Sequence, residues 1–405
     1  MIPLYQIIAV QFFTLLAVFV FSHSAVCKRL LQKKSLFVGS VIGILLLQLG
    51  FSALQSKEVG DVMLFAGAGW HLRHQIDFYF IDSQHTQYPF FPFLIFVHAV
   101  LNVVQEAIPM LTFSFFLKIV LAGALLALSW RIHSEEKLPQ NSQRAFVLQF
   151  LSHPVTTLVI FFHGQVDVML LAFLIFSFRF LSLAKLSGFM LSVTFFTASV
   201  AAKTWSILLL PFFVLLQPNW QRRILAPVLL LGGLLVNVFV YTRLVDGSSV
   251  RTVLPAVTAA GGPIGEWGLS LFFPVPSFWE SYGLAILLGV MGLATLKMYW
   301  SKIDPMQGLL VLILVMQLAL PRWGIQYLFW FIPLLYITDL TTKQRIFITI
   351  SASLFAFTNY LNIARELEGL PLLFSRSLVR VLGLVCWGTI AGIVLQLWPL
   401  RDSNP

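Results

Sequence analysis

Apolar residues occur along the chain in thirteen continuous runs, which polar connectors separate. A helix needs about 20 such residues to cross a bilayer, and most of the runs reach or approach that length. The pattern predicts an all-α polytopic membrane protein with about 12–14 transmembrane or re-entrant helices and elaborated loops on its outer face. The runs are 3–26, 36–54, 109–130, 145–162, 167–184, 187–202, 204–217, 224–242, 282–300, 306–320, 327–340, 346–363 and 378–398.

The composition agrees with this pattern. Hydrophobic residues make up 59% of the 405 positions and charged residues only 10%, whereas soluble domains have about 45–50% and about 25%. These values exclude a soluble enzyme, a disordered chain, a disulfide-rich secreted scaffold and a nucleic-acid binder. The lipid bilayer is therefore the first expected partner, and the chain is expected to form a single membrane domain over 1–405.

The positions of the cations predict how the helices are oriented. Four cations lie between residues 28 and 34, directly after the first apolar run. Lys and Arg concentrate on the cytoplasmic side of membrane proteins, so the long loops 55–88 and 243–281 are expected outside, together with most of the carboxylates. We therefore expect a multi-pass protein of the cell inner or plasma membrane, with its functional face on the extracytoplasmic side.

One segment, 89–104, does not fit this alternation. If it crossed the membrane fully, every later loop would change sides and the later cations would lie outside. Pro89, Pro92, His98 and Asn102 within it fit a segment buried in protein better than a segment facing lipid. We therefore expect a re-entrant segment or part of a broken span.

Two carboxylates stand where the chain is expected to leave the membrane on the outer side. Asp61 follows the second apolar run and precedes helix-compatible sequence, so it fits a helix cap as well as a catalytic group. Asp167 ends the motif His163-Gly-Gln-Val-Asp167, where the alternative is an ordinary turn residue. A partly desolvated carboxylate at a membrane surface is a suitable general base.

Cations and aromatic residues are expected on the same face. A lysine near the end of a span can also simply extend its aliphatic stem along the helix and place its ammonium at the membrane surface. The aromatic residues taken alone are also explained by an interfacial belt. Together they suit a lipid-linked phosphate, because cations hold the phosphate and aromatic rings face a sugar. The cations are Lys203, Arg322, Arg73 and Arg251, and the aromatic residues include Tyr327 and Trp330.

Taken in order, these motifs resemble the GT-C type of integral-membrane glycosyltransferase, most of all the polyprenyl-phosphate-mannose-dependent mannosyltransferases. The resemblance covers most of 36–340, which predicts a GT-C-like core there and C-terminal helices over 341–405. The matching elements are Asp61, Tyr79 and Tyr88-Pro89 in the first outer loop, Gly164-Gln-Val-Asp167, Lys203 with Pro211, and Gln326-Tyr-Leu-Phe-Trp-Phe-Ile-Pro333.

The resemblance implies inverting transfer of a hexose, mannose by analogy, from a polyprenyl-phosphate donor to a hydroxyl of a glycan or glycolipid acceptor. It implies Asp61 as the general base and no cofactor. The expected substrate-binding residues are Asp167, Gln165, Lys203, Arg322, Gln326, Tyr327, Tyr79, Tyr88, Arg73 and Arg251.

Three alternatives stay open. The first is a transporter or lipid flippase without glycosyl transfer, although no internal repeat typical of transporters is evident. The second keeps the GT-C architecture but transfers an amino sugar to lipid A or a glycan to protein. The third adds a divalent metal, for which His71, His74, His85, Asp77 and Asp82 share the first loop and His163 adjoins Gly164. Hydrogen bonding of these histidines to loop carbonyls is the default expectation.

Overall fold

The computed structural model describes residues 2–55, 60–82, 90–135, 140–181, 183, 185–258, 268–322 and 324–398, and within them the secondary structure is helical, without strands. The α-helices are α1 (Leu4–Ser22), α2 (Ala25–Leu30), α3 (Lys34–Ala53), α4 (Gly60–Arg73), α5 (Phe78–Asp82), α6 (Pro92–Ala107), α7 (Phe113–His133), α8 (Gln140–Leu151), α9 (Pro154–Thr156), α10 (Asp167–Phe180), α11 (Leu186–Ala202), α12 (Leu210–Leu215), α13 (Trp220–Leu244), α14 (Val250–Thr258), α15 (Pro276–Trp300), α16 (Pro305–Ala319), α17 (Thr342–Leu367) and α18 (Arg376–Leu397). A π-helical segment covers Thr157–Phe162, and 3₁₀ segments cover Thr204–Leu209, Leu269–Leu271, Ile325–Trp330 and Pro333–Tyr336.

Eight helices among the described residues are long and apolar enough to cross a membrane. They are α1, α3, α7, the continuous segment Ser142–Phe162, α13, α15, α17 and α18. Their length and composition indicate a multi-pass helical membrane protein. The other five predicted runs form shorter helical segments, and the ambiguous run 89–104 corresponds to the 16-residue α6.

Local sequence explains where several of these helices begin. The Asp304 carboxylate accepts a hydrogen bond of 2.9 Å from the backbone N–H of Met306, with Pro305 in the first turn of α16. Thr341 and Gln344 form a capping box at the start of α17. Such side chains satisfy N–H groups that have no partner inside the helix.

The described residues divide into two compact units, and neither is continuous in sequence. Unit 1 comprises the described parts of Met1–Met63, Ile108–Val168 and Ile325–Ile390, and unit 2 those of Leu64–Ala107, Met169–Gly324 and Ala391–Pro405. The separation into a core of 36–340 and C-terminal helices of 341–405 remains a prediction.

In unit 1, α1 packs on α17, and α3 packs on α7 and α8. The rings of Phe12 and Phe357 stack at 4.0 Å across the first pair. A polar side chain connects α3 to α8, since Gln48 on α3 donates a 2.6 Å hydrogen bond to the carbonyl of Leu151. Polar contacts of this kind hold apolar helices in a defined register.

In unit 2, α11 packs on α13 and α15 packs on α16. The rings of Phe196 and Phe213 stack at 4.4 Å, and Phe178 packs edge-on against Phe213. These buried aromatic side chains fix the break between α11 and the 3₁₀ segment that follows it. Lys203 lies at this break, in an extended conformation.

Candidate functional site

The π-helical segment Thr157–Phe162 positions the motif that follows it. Its wider turn places the amide of His163 3.0 Å from the carbonyl of Leu158, five residues earlier. Ser52 and Gln55, at the end of α3, donate hydrogen bonds of 3.0 and 3.3 Å to the carbonyl of Phe161. A single π-helical turn of this kind often marks a functional site.

Gly164 turns the chain immediately after this segment. Its φ is +75°, and a Cβ added there would lie 2.8 Å from Cγ2 of Val62 and 3.9 Å from Cε of Lys118. Only glycine fits both the left-handed backbone and this close approach. The turn therefore sends the side chains of His163 and Gln165 towards the start of α4.

Asp61 lies in the first turn of α4, and its carboxylate is the centre of the polar cluster. The side-chain N–H of Gln165 donates a hydrogen bond to its Oδ2, and Nε2 of His163 lies 3.3 Å from the same oxygen. The side chain of Asp61 is 45% exposed, so it is held and accessible at once. The helix N-terminus favours the ionised carboxylate.

His163 also contacts α17. Its Nδ1 lies 2.9 Å from the hydroxyl of Tyr360, which is fully buried. The carboxylates of Asp61 and Asp167 both act electrostatically on this hydroxyl. The default expectation for the histidines is met only in part by His71 and His74, because the carbonyls that pair with their Nδ1 atoms lie four residues earlier in α4 and not in a loop. It is wrong for His163, whose partners are side chains.

Asp167 forms a second contact in unit 1. It is fully buried, and its Oδ1 accepts a hydrogen bond from the indole N–H of Trp330. Trp330 stacks at 4.0 Å on Tyr327, which is half-buried, as is Gln326. Asp167 thus orients the aromatic pair through Trp330.

Lys118 and Gln55 lie beside the turn at Gly164. Lys118 is almost fully buried on α7, and its ammonium donates a 2.5 Å hydrogen bond to Oε1 of Gln55. A buried cation in a membrane helix is costly and usually functional. Neither Lys118 nor Gln55 is among the site residues predicted from the sequence.

Lys203 and Tyr79 belong to unit 2 and are linked through Phe90. The ammonium of Lys203 lies 5.6 Å from the centre of the Phe90 ring, a cation–π contact. The hydroxyl of the fully buried Tyr79 donates a 2.6 Å hydrogen bond to the carbonyl of Phe90. Tyr79 therefore holds the backbone of the residue whose ring Lys203 contacts.

Asp77 fixes the segment that carries Tyr79. Its carboxylate accepts hydrogen bonds from the N–H of Tyr79 at 3.1 Å, the hydroxyl of Tyr241 at 3.2 Å and the hydroxyl of Thr252 at 3.1 Å. Three separate elements of unit 2 thus share one buried carboxylate. We call this arrangement of Asp77, Tyr241 and Thr252 the Asp77 clamp.

The remaining predicted cations differ in their surroundings. Arg73 forms a bidentate ion pair with Glu106, and the hydrogen bonds from Arg73 hold the pKa of Glu106 below its usual value. Arg251 and Arg322 are exposed. Arg73 thus already neutralises a carboxylate, whereas the two exposed guanidinium groups are accessible to solvent.

Two predicted residues lie outside the part of the chain that the structure describes, and the predicted metal alternative can be examined only within that part. Tyr88 and His85 lie outside the described ranges. Within those ranges, no group of three or more His, Cys, Asp or Glu side chains is close enough to hold a metal ion. The structure thus joins Asp61 to Gln165 and Asp167 to the Tyr327 region in unit 1, and carries Lys203, Arg322, Arg73, Arg251 and Tyr79 in unit 2. Their convergence on one pocket remains a prediction.

No known protein family matches the chain, and no curated protein resembles it closely enough in sequence to be called a relative. The GT-C resemblance therefore rests on the ordered motifs alone. The chemistry of the site is therefore the basis of the functional assignment.

Proposed function

We propose that the chain is an inverting glycosyltransferase that transfers a hexose, mannose by analogy, from a polyprenyl phosphate to a sugar or lipid hydroxyl. The reaction takes place at the extracytoplasmic membrane face, with Asp61 as general base. The observation that carries the proposal is the Asp61 carboxylate itself, half-exposed yet fixed by Gln165 and His163.

The chemistry requires one accessible proton acceptor. The acceptor oxygen bonds to C1 of the hexose as the C1–O bond to phosphate breaks, and the hydroxyl proton passes to Oδ2 of Asp61. Polyprenyl phosphate leaves with the electron pair. The amide of Gln165 orients the carboxylate, and a positioned base of this kind contributes about 10²–10⁴-fold in rate.

The donor phosphate requires cations, and the donor lipid requires a bilayer. Lys203, Arg251 and Arg322 are the cations that we assign to the phosphate, because Arg73 is engaged by Glu106. A planar aromatic surface suits a sugar face, and the Tyr327–Trp330 stack offers one. The eight long apolar helices found among the described residues suit an enzyme whose donor and product are membrane lipids.

The experiment uses the purified full chain in nanodiscs with radiolabelled polyprenyl-phosphate-mannose or polyprenyl-phosphate-glucose and a lipid extract as acceptor. We expect a labelled glycolipid that mass spectrometry identifies by one added hexose. Asp61→Asn lowers its rate of formation by about 10²–10⁴-fold, whereas Asp339→Asn, at an exposed carboxylate of unit 1, leaves it unchanged.

Two outcomes would overturn the proposal. Undiminished transfer by Asp61→Asn removes Asp61 as the base. Movement of the labelled donor across the bilayer, with no covalent product from either donor, assigns the chain to the transporter or flippase class instead.

A further inference from the structure

Three polar atoms meet at one point of the site. Nε2 of Gln165 donates a hydrogen bond to Oδ2 of Asp61 and lies 3.0 Å from Nε2 of His163, which is itself 3.3 Å from the same Oδ2. Gln165 and His163 are buried, whereas Asp61 reaches solvent. Two nitrogens and one carboxylate oxygen therefore form a small triangle with two buried members and one exposed member.

The triangle defines the tautomer of His163. An ionised carboxylate accepts hydrogen bonds only, so Gln165 must direct its NH₂ group, not its carbonyl, at Asp61. The second hydrogen of the same NH₂ group then points to Nε2 of His163, which must accept it and therefore carries no proton. The proton of the neutral imidazole is on Nδ1.

The opposite side of the ring agrees with this assignment. Nδ1 lies 2.9 Å from the hydroxyl oxygen of Tyr360, so Nδ1–H donates to that oxygen. Tyr360 packs edge-on against Phe162, at the end of the π-helical segment. The imidazole is thus held from both sides, with its unprotonated nitrogen beside the carboxylate.

We propose that His163 is the secondary proton acceptor of this site and takes from Asp61 the proton that Asp61 removes from the substrate hydroxyl. This inference rests on the proposed function for its chemistry. The Oδ2–H bond of Asp61 breaks, the Nε2–H bond of His163 forms, and an imidazolium–carboxylate pair results. Gln165 ceases to donate to Nε2 and keeps its hydrogen bond to Asp61.

The relay restores the carboxylate before the product leaves. Asp61 is ionised again while the buried imidazole holds the proton. Once the acceptor site is empty, the proton returns to solvent through the exposed carboxylate. His163 does not contact the reacting atoms, so it is a positioning residue that acts through Asp61.

The charged and titratable groups around His163 are compatible with an imidazolium. Asp61 faces it from α4 and Tyr360 from α17, and Asp167 acts on Tyr360 from the start of α10. Lys118 approaches the neighbouring Gly164 from α7 and donates to Gln55. Two carboxylates thus offset the one nearby cation.

The first test does not depend on turnover. Full-length protein with ¹⁵N-labelled histidine is compared with the same sample carrying His163→Gln, so that the missing signals belong to His163. At neutral pH we expect one protonated nitrogen, Nδ1, and one unprotonated nitrogen, Nε2. A proton on Nε2, alone or together with Nδ1, overturns the proposal even when Asp61→Asn has confirmed the general base.

The second test is kinetic and has a matched control. His153 is also buried, and its Nε2 pairs with the hydroxyl of Thr349 on α17 at 3.2 Å, but no carboxylate adjoins it within the described residues. We expect His163→Gln to lower kcat by at least about tenfold with little change in KM. His153→Gln keeps the wild-type kcat and pH profile.

The pH dependence of kcat distinguishes a proton relay through His163 from a purely structural role of this residue. Protonation of Nε2 removes the secondary acceptor, so wild-type kcat falls on acidification. In His163→Gln only the carboxylate remains, and the acid limb moves to lower pH. An unmoved acid limb overturns the relay. Tyr360→Phe, which removes the partner of Nδ1, must move the limb in the same direction should His163→Gln fail to fold.

Discussion

The indole N–H of Trp330 donates a hydrogen bond to the carboxylate of Asp167, although 163 residues separate them in sequence. Both side chains are buried in unit 1. The contact joins the turn that follows the π-helical segment to the 3₁₀ segment Ile325–Trp330. It therefore ties the two stretches of sequence that carry the predicted Gln-Val-Asp and Gln-Tyr motifs.

Replacement of Asp167 is expected to show how much this contact stabilises unit 1. Asp167→Ala leaves a buried indole N–H without its acceptor, which costs about 1–3 kcal/mol. Asp167→Asn keeps an oxygen at the same position, so its free energy of unfolding falls much less. Thermal unfolding in detergent, followed by circular dichroism, measures the difference between the two variants. Equal melting temperatures would contradict the structural role assigned to Oδ1.

Gly164→Ala is expected to damage both stability and the site. A Cβ at this position meets Val62 at 2.8 Å, and the φ of +75° is unfavourable for alanine, at a cost of about 1–2 kcal/mol. The displaced turn moves Gln165 away from Asp61, so hexose transfer falls as well. Gly123→Ala, in the middle of α7 where nothing lies within 4 Å of the added Cβ, is the matched control. A melting temperature for Gly164→Ala no lower than for this control would contradict the prediction.

The Asp77 clamp is expected to stabilise unit 2. Asp77→Ala removes the acceptor of the Tyr79 N–H and of the Tyr241 hydroxyl and costs about 1–3 kcal/mol for these buried groups left unpaired, whereas the Thr252 hydroxyl keeps the carbonyl of Ser249 at 2.7 Å. Asp246→Ala, at an exposed carboxylate after α13, should cost less than about 0.5 kcal/mol. Hydrogen exchange of the Tyr79 amide reports the local effect. Unchanged protection of this amide in Asp77→Ala would rule the clamp out.

Lys203→Met is expected to weaken donor binding, a prediction that depends on the proposed function. Methionine keeps an apolar stem against Phe90 but removes the charge that we assign to the phosphate. We expect the KM for polyprenyl-phosphate-hexose to rise about tenfold, since one ion pair with a phosphate contributes about 1.4 kcal/mol or more. Lys185→Met, at the exposed opposite end of α11, should leave KM unchanged. An equal effect of both changes would point to general electrostatics of the surface.

The sequence predicted the long helices well because a membrane span needs only length and apolarity, which are local properties. The run 346–363 corresponds to α17 (Thr342–Leu367) and the run 36–54 to α3 (Lys34–Ala53). Runs such as 204–217 gave no basis for choosing between a span and a broken helix. There the structure has a 3₁₀ turn before Pro211.

The candidate site was predictable only in part. Motif spacing drew attention to Asp61 and Gln165, which hydrogen-bond in the structure. Tyr360 was missed because its contact with His163 bridges 197 positions, and apolar periodicity defines a helix face without naming its partner. The polar residues that surround Tyr360 in Thr358-Asn-Tyr-Leu-Asn362 were the available signal.

The π-helical segment makes the number of residues before His163 as important as their identity. Substitutions within Thr157–Phe162 that keep their size leave the backbone path intact. Loss of a single residue would let the wide turn close as an ordinary α-helix, in which each N–H bonds the carbonyl four residues earlier instead of five. The hydrogen bond between the His163 amide and the Leu158 carbonyl would then be lost, so this stretch should tolerate substitutions far better than changes of length.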